Sequence, residues 1–223
     1  MPHPTIVFDL DGTLVDTAPD LVGTLNAVLA REGYDPLPFA EARTMIGGGV
    51  RHMLTRALAR EGVAVEPPEL DRLYDDFIPH YAAHIADHSQ PFPGLAMCLD
   101  GLAAQGGRFA VCTNKLEHLS VLLLERLGIA GRFAAICGQD TFGVPKPNPE
   151  LLRGTIARAC GTLESAVMVG DSPADVALAR AAGVPVIAVD FGYSEIPPPL
   201  LKADRVIGHF DELPGAVAAL LGR

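Results

Sequence analysis

Four short stretches of this 223-residue chain carry side chains able to handle a phosphate and a hard cation. Phe8-Asp9-Leu10-Asp11-Gly12-Thr13 sets two carboxylates two residues apart, a spacing that on extended backbone points both the same way. Gly12 lets the chain turn closely around whatever they bind. Cys112-Thr113-Asn114-Lys115 offers a hydroxyl, an amide and an ammonium with backbone N–H groups beside them, a donor set suited to phosphate oxygens at a helix start. Lys146 lies in Val144-Pro145-Lys146-Pro147-Asn148-Pro149, where flanking prolines stiffen the backbone from which a long side chain begins. Val169-Gly170-Asp171-Ser172-Pro173-Ala174-Asp175 ends an apolar run on one acid. A second acid follows four residues later, on the same face of a helix whose first turn suits Pro173.

Singly, each stretch has an ordinary reading. Asp-Gly is a common turn, Thr-Asn a common helix cap, and acids favour helix N-termini. A proline-rich loop can also carry a solvated lysine. Jointly they say more. Asp9, Asp11, Asp171 and Asp175 brought to one place would raise one another's pKa unless cations were present. A lysine and a divalent cation resolve that conflict, and oxygen-only ligands favour magnesium over zinc. A calcium-loop reading from Asp9 fails, because Leu14 stands where the sixth position needs glycine and a strand precedes it. The chain has three lysines, Lys115, Lys146 and Lys202, against fourteen arginines. Two of the three fall in these stretches, as expected if a compact ammonium is required there.

The elements that must position these groups follow from periodicity. Thr5 to about Leu10 reads as a buried strand. From Asp16 to about His88 the texture is helical, with Leu21, Leu25 and Leu29 at four-residue spacing and breaks at Gly33, Gly47-Gly48-Gly49 and Pro67-Pro68. Beyond Gln90 the pattern alternates: strands at 108–113, 133–137, 166–169, 184–189 and 205–207, helices at 116–127, 149–159, 173–182 and 213–221. Strand–helix alternation predicts an α/β fold, a doubly wound parallel sheet with a Rossmann-like core. The expected division is a core of residues 1–15 and 89–223, with residues 16–88 as an inserted small α-helical cap domain over the strand ends where such sheets bind ligands.

Composition excludes several classes. Hydrophobic residues are 49% and charged residues 20%, so a packed core is expected rather than disorder. The formal net charge of -10, with no basic stretch, argues against a nucleic-acid or membrane partner, and the partner expected from the four polar stretches is a small phosphorylated metabolite. Cys98, Cys112, Cys137 and Cys160 are widely spaced, which reads as inert thiols in a reducing compartment. Neither a signal peptide nor a membrane span is evident, and a cytoplasmic location is the expectation.

In this order and spacing the four stretches resemble the haloacid dehalogenase superfamily over nearly the whole chain. Within it, Phe-Asp-Leu-Asp-Gly-Thr-Leu-Val-Asp, Thr-Asn-Lys, Lys-Pro-Asn-Pro and Val-Gly-Asp-Ser-x-x-Asp are most similar to bacterial phosphoglycolate phosphatases. Thr44-Met45-Ile46-Gly47-Gly48-Gly49 is similar to their cap loop. The resemblance implies Asp9 as nucleophile, Asp11 as acid and base, and Thr113 and Lys146 as holders of the phosphoryl oxygens. It implies Mg2+ on Asp9, Asp171 and the backbone carbonyl of Asp11, with Asp175 as a ligand or as the group that orients Lys146. Gly12, Asn114, Lys115, Gly47 and Gly49 are the further substrate-binding candidates.

Two other features carry expectations. Arg43, Arg51 and Arg56 flank the glycines, and Arg51 is a candidate to grip a substrate carboxylate as a lid closes. His80, His84 and His88 form an i, i+4, i+8 stripe read as one partly exposed helix face, since no Glu completes a metal motif. The expected activity is a magnesium-dependent phosphomonoesterase, with 2-phosphoglycolate as first substrate. Alternatives are a sugar-phosphate phosphatase, a pyrophosphatase, a haloacid dehalogenase and a β-phosphoglucomutase-like mutase. From other classes come a phospho-accepting receiver and an inactive binding module. Asp11 favours phosphate over halide chemistry, and the large insert and late acidic pair disfavour a receiver. The sequence leaves monomer and homodimer equally open.

Overall fold

The computed structural model describes residues 3–222; Met1, Pro2 and Arg223, at the ends of the expected core, lie outside them. Among the described residues eight strands appear in chain order: β1 (Thr5–Phe8), β2 (Val15–Asp16), β3 (Gln90–Pro91), β4 (Arg108–Cys112), β5 (Ala135–Cys137), β6 (Ala166–Gly170), β7 (Val186–Val189) and β8 (Arg205–Ile207). Six of them form one parallel sheet in the order β5-β4-β1-β6-β7-β8.

Side-chain parity divides the core in two. Ile6 and Phe8 point to one face, with Phe109, Val111, Val167 and Val169. There they meet α5 (Leu95–Ala104), α6 (Glu117–Arg126) and α9 (Leu213–Leu220). Val7 points to the other face, in register with Ala110 and Met168, and is covered by α7 (Pro149–Arg158) and α8 (Pro173–Ala182). A strand buried on both sides must read as a continuous apolar run, and Ile6-Val7-Phe8 does.

The remaining helices form the insert: α1 (Ala18–Arg31), α2 (Phe39–Arg43), α3 (Val50–Arg60) and α4 (Pro67–Ala83). The chain leaves for the insert and returns from it through the antiparallel pair β2–β3, with Val15 opposite Pro91 and Asp16 opposite Gln90. Asp20, almost fully buried, bolts the same neck. Its carboxylate accepts the His88 N–H at 3.1 Å and the Ser89 N–H at 2.8 Å, together with the Ser89 hydroxyl at 2.6 Å.

Four expectations need correction. β1 stops at Phe8 rather than near Leu10, because the Leu10 carbonyl takes the N–H groups of Leu14 and Val15 and turns the chain. Pro67 and Pro68 do not mark a turn but open α4, where a missing N–H costs nothing. Helix α5 was not expected, although Leu95, Cys98, Leu99 and Leu102 recur at helical spacing; Gly94, Gly101 and Gly106 dilute the pattern. The histidine stripe is not one helix face, since α4 ends at Ala83 and His84 and His88 lie beyond it. His80 meets Arg31 at 3.3 Å and exposed His84 meets Asp87 at 2.7 Å.

Among the described residues no helix is long and apolar enough to cross a membrane. Cys98, Cys112 and Cys137 are buried, and Cys160 is exposed; all four are free thiols.

Candidate active site

The strand order fixes where the site lies. After β1 the chain fills β4 and β5 on one side and then crosses to β6 on the other, so the order reverses around β1. In open α/β sheets the crevice at that reversal, beyond the carboxyl ends of the strands, receives ligands. Asp9 follows β1, Thr113 follows β4, Asp171 follows β6, and Lys146 lies on the loop after β5.

Lys146 is the hub. Its ammonium lies 2.8 Å from Asp9 Oδ1 and 2.6 Å from Asp175 Oδ1, with its side chain 1% exposed. Burial works against its charge, but Asp175 and then Asp9 more than offset this and hold its pKa well above the usual lysine range. Asp175 is occupied on both oxygens. Its Oδ2 accepts the Ser172 N–H at 3.0 Å and the Ser172 hydroxyl at 2.6 Å, closing a capping box at the start of α8. Asp175 holds Lys146, one of the two roles expected for it, and its oxygens also belong to an acidic group able to ligate a cation.

Asp9 Oδ1 also accepts the Leu10 N–H at 2.7 Å, and Oδ2 has no protein donor among the described residues. Burial raises the Asp9 pKa to about 7; Lys146 opposes the rise and Asp175 adds to it. Asp171 is pushed up to about 8, by burial first and then by the charges of Asp175 and Asp9. Its Oδ2 accepts the Tyr193 N–H at 2.6 Å. Oxygens of Asp9, Asp171 and Asp175 come within 4.8 Å of one another. These buried, all-oxygen ligands fit a hard dication, which would return Asp9 and Asp171 to the ionised state. The Asp11 side chain lies apart from this group.

Asp11 faces Lys115 instead, both carboxylate oxygens 2.9 Å from its Nζ. Burial opposes the Lys115 charge, but Asp11 outweighs it and raises that pKa too. Asp9, Asp11, Thr113, Asn114, Lys115, Gly47 and Gly49 all line one cavity between the insert and the strand ends. Leu21, Ile46, Val50, Met53 and Ile78 of the insert supply apolar wall. The Asn114 amide is engaged as a bracket. It donates to the Gly47 carbonyl at 3.2 Å and accepts the Lys146 N–H at 2.8 Å, tying the glycine loop to the lysine loop.

Two expected substrate contacts fall elsewhere. Gly12 does not line the cavity. It passes under Asp171 with φ of +81°, and a Cβ there would stand 2.7 Å from Asp171 Oδ2 and 2.8 Å from the Tyr193 ring. Close approach and left-handed backbone both call for glycine at this position. Arg51 is also outside the cavity, half-exposed, paired with Asp71 and lying over the Tyr74 ring at 4.4 Å. Arg43 and Arg56 instead join the insert to the loop after β7. Arg43 donates to the Phe191 and Gly192 carbonyls at 3.2 and 2.9 Å, and Arg56 pairs with Glu195 at 2.9 Å.

Tyr193 escaped the sequence reading. Besides holding Asp171, its hydroxyl donates to Asp16 at 2.6 Å and accepts the Ala18 N–H at 3.0 Å, so one residue links the acidic cluster to the neck of the insert. Nothing in the spacing of Phe191-Gly192-Tyr193-Ser194 announces this role.

Comparison with known proteins agrees with the geometry. A family model described as haloacid dehalogenase-like hydrolase matches residues 6–189. A phosphoglycolate phosphatase of Caulobacter vibrioides is 46% identical over 217 residues, covering 97% of this chain and 92% of that protein. Another, from Mesorhizobium japonicum, is 44% identical over 223 residues, covering 100% and 98%. A crystal structure from Lactobacillus delbrueckii subsp. bulgaricus superimposes with a TM-score of 0.90 at 28% identity, covering 100% of both chains. The chain belongs to the haloacid dehalogenase-like hydrolases, among them as a phosphoric monoester hydrolase.

Proposed function

We propose that this protein is a magnesium-dependent phosphomonoesterase working through an aspartyl-phosphate on Asp9, with 2-phosphoglycolate as its substrate and residues 16–88 as a cap over the site. The observation that carries this reading is the Asp9 carboxylate. One oxygen is fixed by Lys146 and the Leu10 N–H, and the residue lines a cavity beside Thr113 and Asp11. In the proposed reaction the free oxygen of Asp9 attacks phosphorus in line, and the bond from phosphorus to the leaving oxygen breaks. Asp11 gives a proton to that oxygen, releasing glycolate. It then takes a proton from the water that opens the acyl phosphate, and inorganic phosphate leaves.

Lys115 contacts both Asp11 oxygens, yet a carboxylate has about four lone-pair sites, so each oxygen retains one for the proton it handles. Lys146 and Thr113 hold the phosphoryl oxygens, and Asp175 fixes the Lys146 ammonium. Magnesium, held by Asp9, Asp171 and the Asp11 carbonyl, would neutralise charge on the transferring group. The substrate assignment rests on the curated relatives, which are phosphoglycolate phosphatases along essentially their whole length.

Phosphate release from a panel of phosphomonoesters with magnesium tests the reading. 2-Phosphoglycolate should lead the panel. Asp9→Asn should fold normally and lose turnover by more than about a thousandfold. Near-normal turnover by Asp9→Asn removes Asp9 as nucleophile, and isomerisation of a sugar phosphate without phosphate release replaces the hydrolase by a mutase.

A further inference from the structure

Four buried hydroxyls have no hydrogen-bond partner among the described residues: those of Thr5, Thr17, Thr24 and Tyr81. Only Tyr81 lines the cavity. It projects from the last turn of α4, it is 1% exposed, and burial lifts its pKa to about 12. A buried hydroxyl left unpaired costs about 1–3 kcal/mol, so a fold that keeps one in the wall of a cavity calls for a reason.

Lys115 supplies it. Its ammonium lies 4.7 Å from the centre of the Tyr81 ring and comes near the hydroxyl without the geometry of a hydrogen bond. An ammonium has three N–H donors. Two go to the oxygens of Asp11, which leaves one over. Lys115 is also the sole cationic side chain among the described residues lining the cavity. One spare N–H and one orphaned O–H thus lie side by side, next to the acid–base carboxylate and within a mostly apolar wall.

We infer that the Tyr81 hydroxyl and the spare N–H of Lys115 form a subsite for the carboxylate at the non-transferred end of the substrate. The inference rests on the phosphatase reading above and names what its specificity would consist of. A carboxylate offers two oxygens to two donors and brings negative charge to the ammonium. An uncharged end would offer the same donors at most one weak acceptor. Discrimination should therefore be large, as it is wherever a site built to hydrogen-bond one group meets an analogue lacking it.

The test compares kcat/KM for 2-phosphoglycolate and for ethyl phosphate, which has the same two-carbon chain but no carboxylate, in wild type and Tyr81→Phe. The substitution keeps the ring and its contact with Lys115 and removes only an unpaired hydroxyl, so Tm should equal or exceed that of wild type. The ratio of the two kcat/KM values should fall about tenfold, the worth of one hydrogen bond to a charged group, chiefly through KM. In the Asp9→Asn background the Kd of 2-phosphoglycolate, measured by calorimetry, should weaken by a similar factor. An unchanged ratio with wild type still preferring 2-phosphoglycolate overturns the subsite and leaves the substrate assignment standing. A wild type indifferent to the carboxylate overturns both.

Discussion

Asp175→Asn tests whether the acid at 175 exists to hold Lys146. The wild-type side chain is fully buried, with Oδ1 2.6 Å from the Lys146 ammonium and Oδ2 taking the Ser172 N–H and hydroxyl. Breaking a buried ion pair by neutralising one partner costs about 3–5 kcal/mol. Lys146 keeps Asp9 at 2.8 Å, which places this part near about 3 kcal/mol. The new amide has one oxygen for two sets of donors. If that oxygen stays with Lys146, an NH2 group confronts the Ser172 N–H, and a backbone hydrogen bond worth about 1 kcal/mol is lost. The expected total is about 4 kcal/mol, or roughly 8–16 °C in Tm for a chain of this size. Ser172→Ala serves as the control. It removes the hydroxyl partner but leaves the ion pair, and should cost about 1 kcal/mol with most activity retained. Denaturant unfolding of both variants and their kcat decide the matter. If Asp175→Asn loses no more stability than Ser172→Ala and keeps its kcat, Asp175 is a helix cap and Lys146 is held by something else.

Two further outcomes follow from the same geometry. Asp9 and Asp171 have folded pKa values near 7 and 8, above their unfolded values, so the native state binds protons that the unfolded chain releases. In metal-free protein their contribution to stability is therefore full below about pH 4 and is lost as pH rises through about 7 and 8. The rise in Tm on adding magnesium in place of EDTA should grow from pH 6 to pH 8.5, and an equal rise at both would sink this account. Arg51→Ala should change kcat/KM for 2-phosphoglycolate and ethyl phosphate by the same factor, because Arg51 pairs with Asp71 outside the cavity. A selective loss on the carboxylated ester would restore Arg51 as a substrate contact.

How much of this was legible in the sequence depended on how far a feature's cause lies along the chain. Strand β1 and the helices α7 and α8 announce themselves within ten residues, through an apolar run, Asn148 before Pro149, and Ser172 before Pro173. The four polar stretches were legible too, because unusual residue types sit at the ends of apolar runs. What the sequence hid was partnership. Nothing local says that Asp11 faces Lys115, 104 residues away, while Asp9 shares Lys146. Asp9 and Asp11 look equivalent at a spacing of two. The strand has already ended at Phe8, however, and the turn sends them to different ammonium groups. Tyr81 was masked by the neighbouring histidines, which look more like chemistry but lie at and beyond a helix end. Arg51 shows the converse: its residue type suited a lid, but a partner on α4 claims it at the surface.

Charge balance joins the metal, the lysine and the cavity in one argument. Asp9, Asp171 and Asp175 are buried together against a single ammonium, so the fully ionised cluster carries a formal deficit of two positive charges. Two protons can cover that deficit, and the raised pKa values of Asp9 and Asp171 describe that state. A dication would cover it equally well and would leave Asp9 ionised, the state that the proposed nucleophile needs. Asp11 lies outside this account because Lys115 answers its charge separately. The acidic cluster and Asp11 are thus neutralised by different lysines. In the proposed reaction, proton transfer at Asp11 would leave the charges that fix Asp9 undisturbed, since two of the chain's three lysines stand at these strand ends.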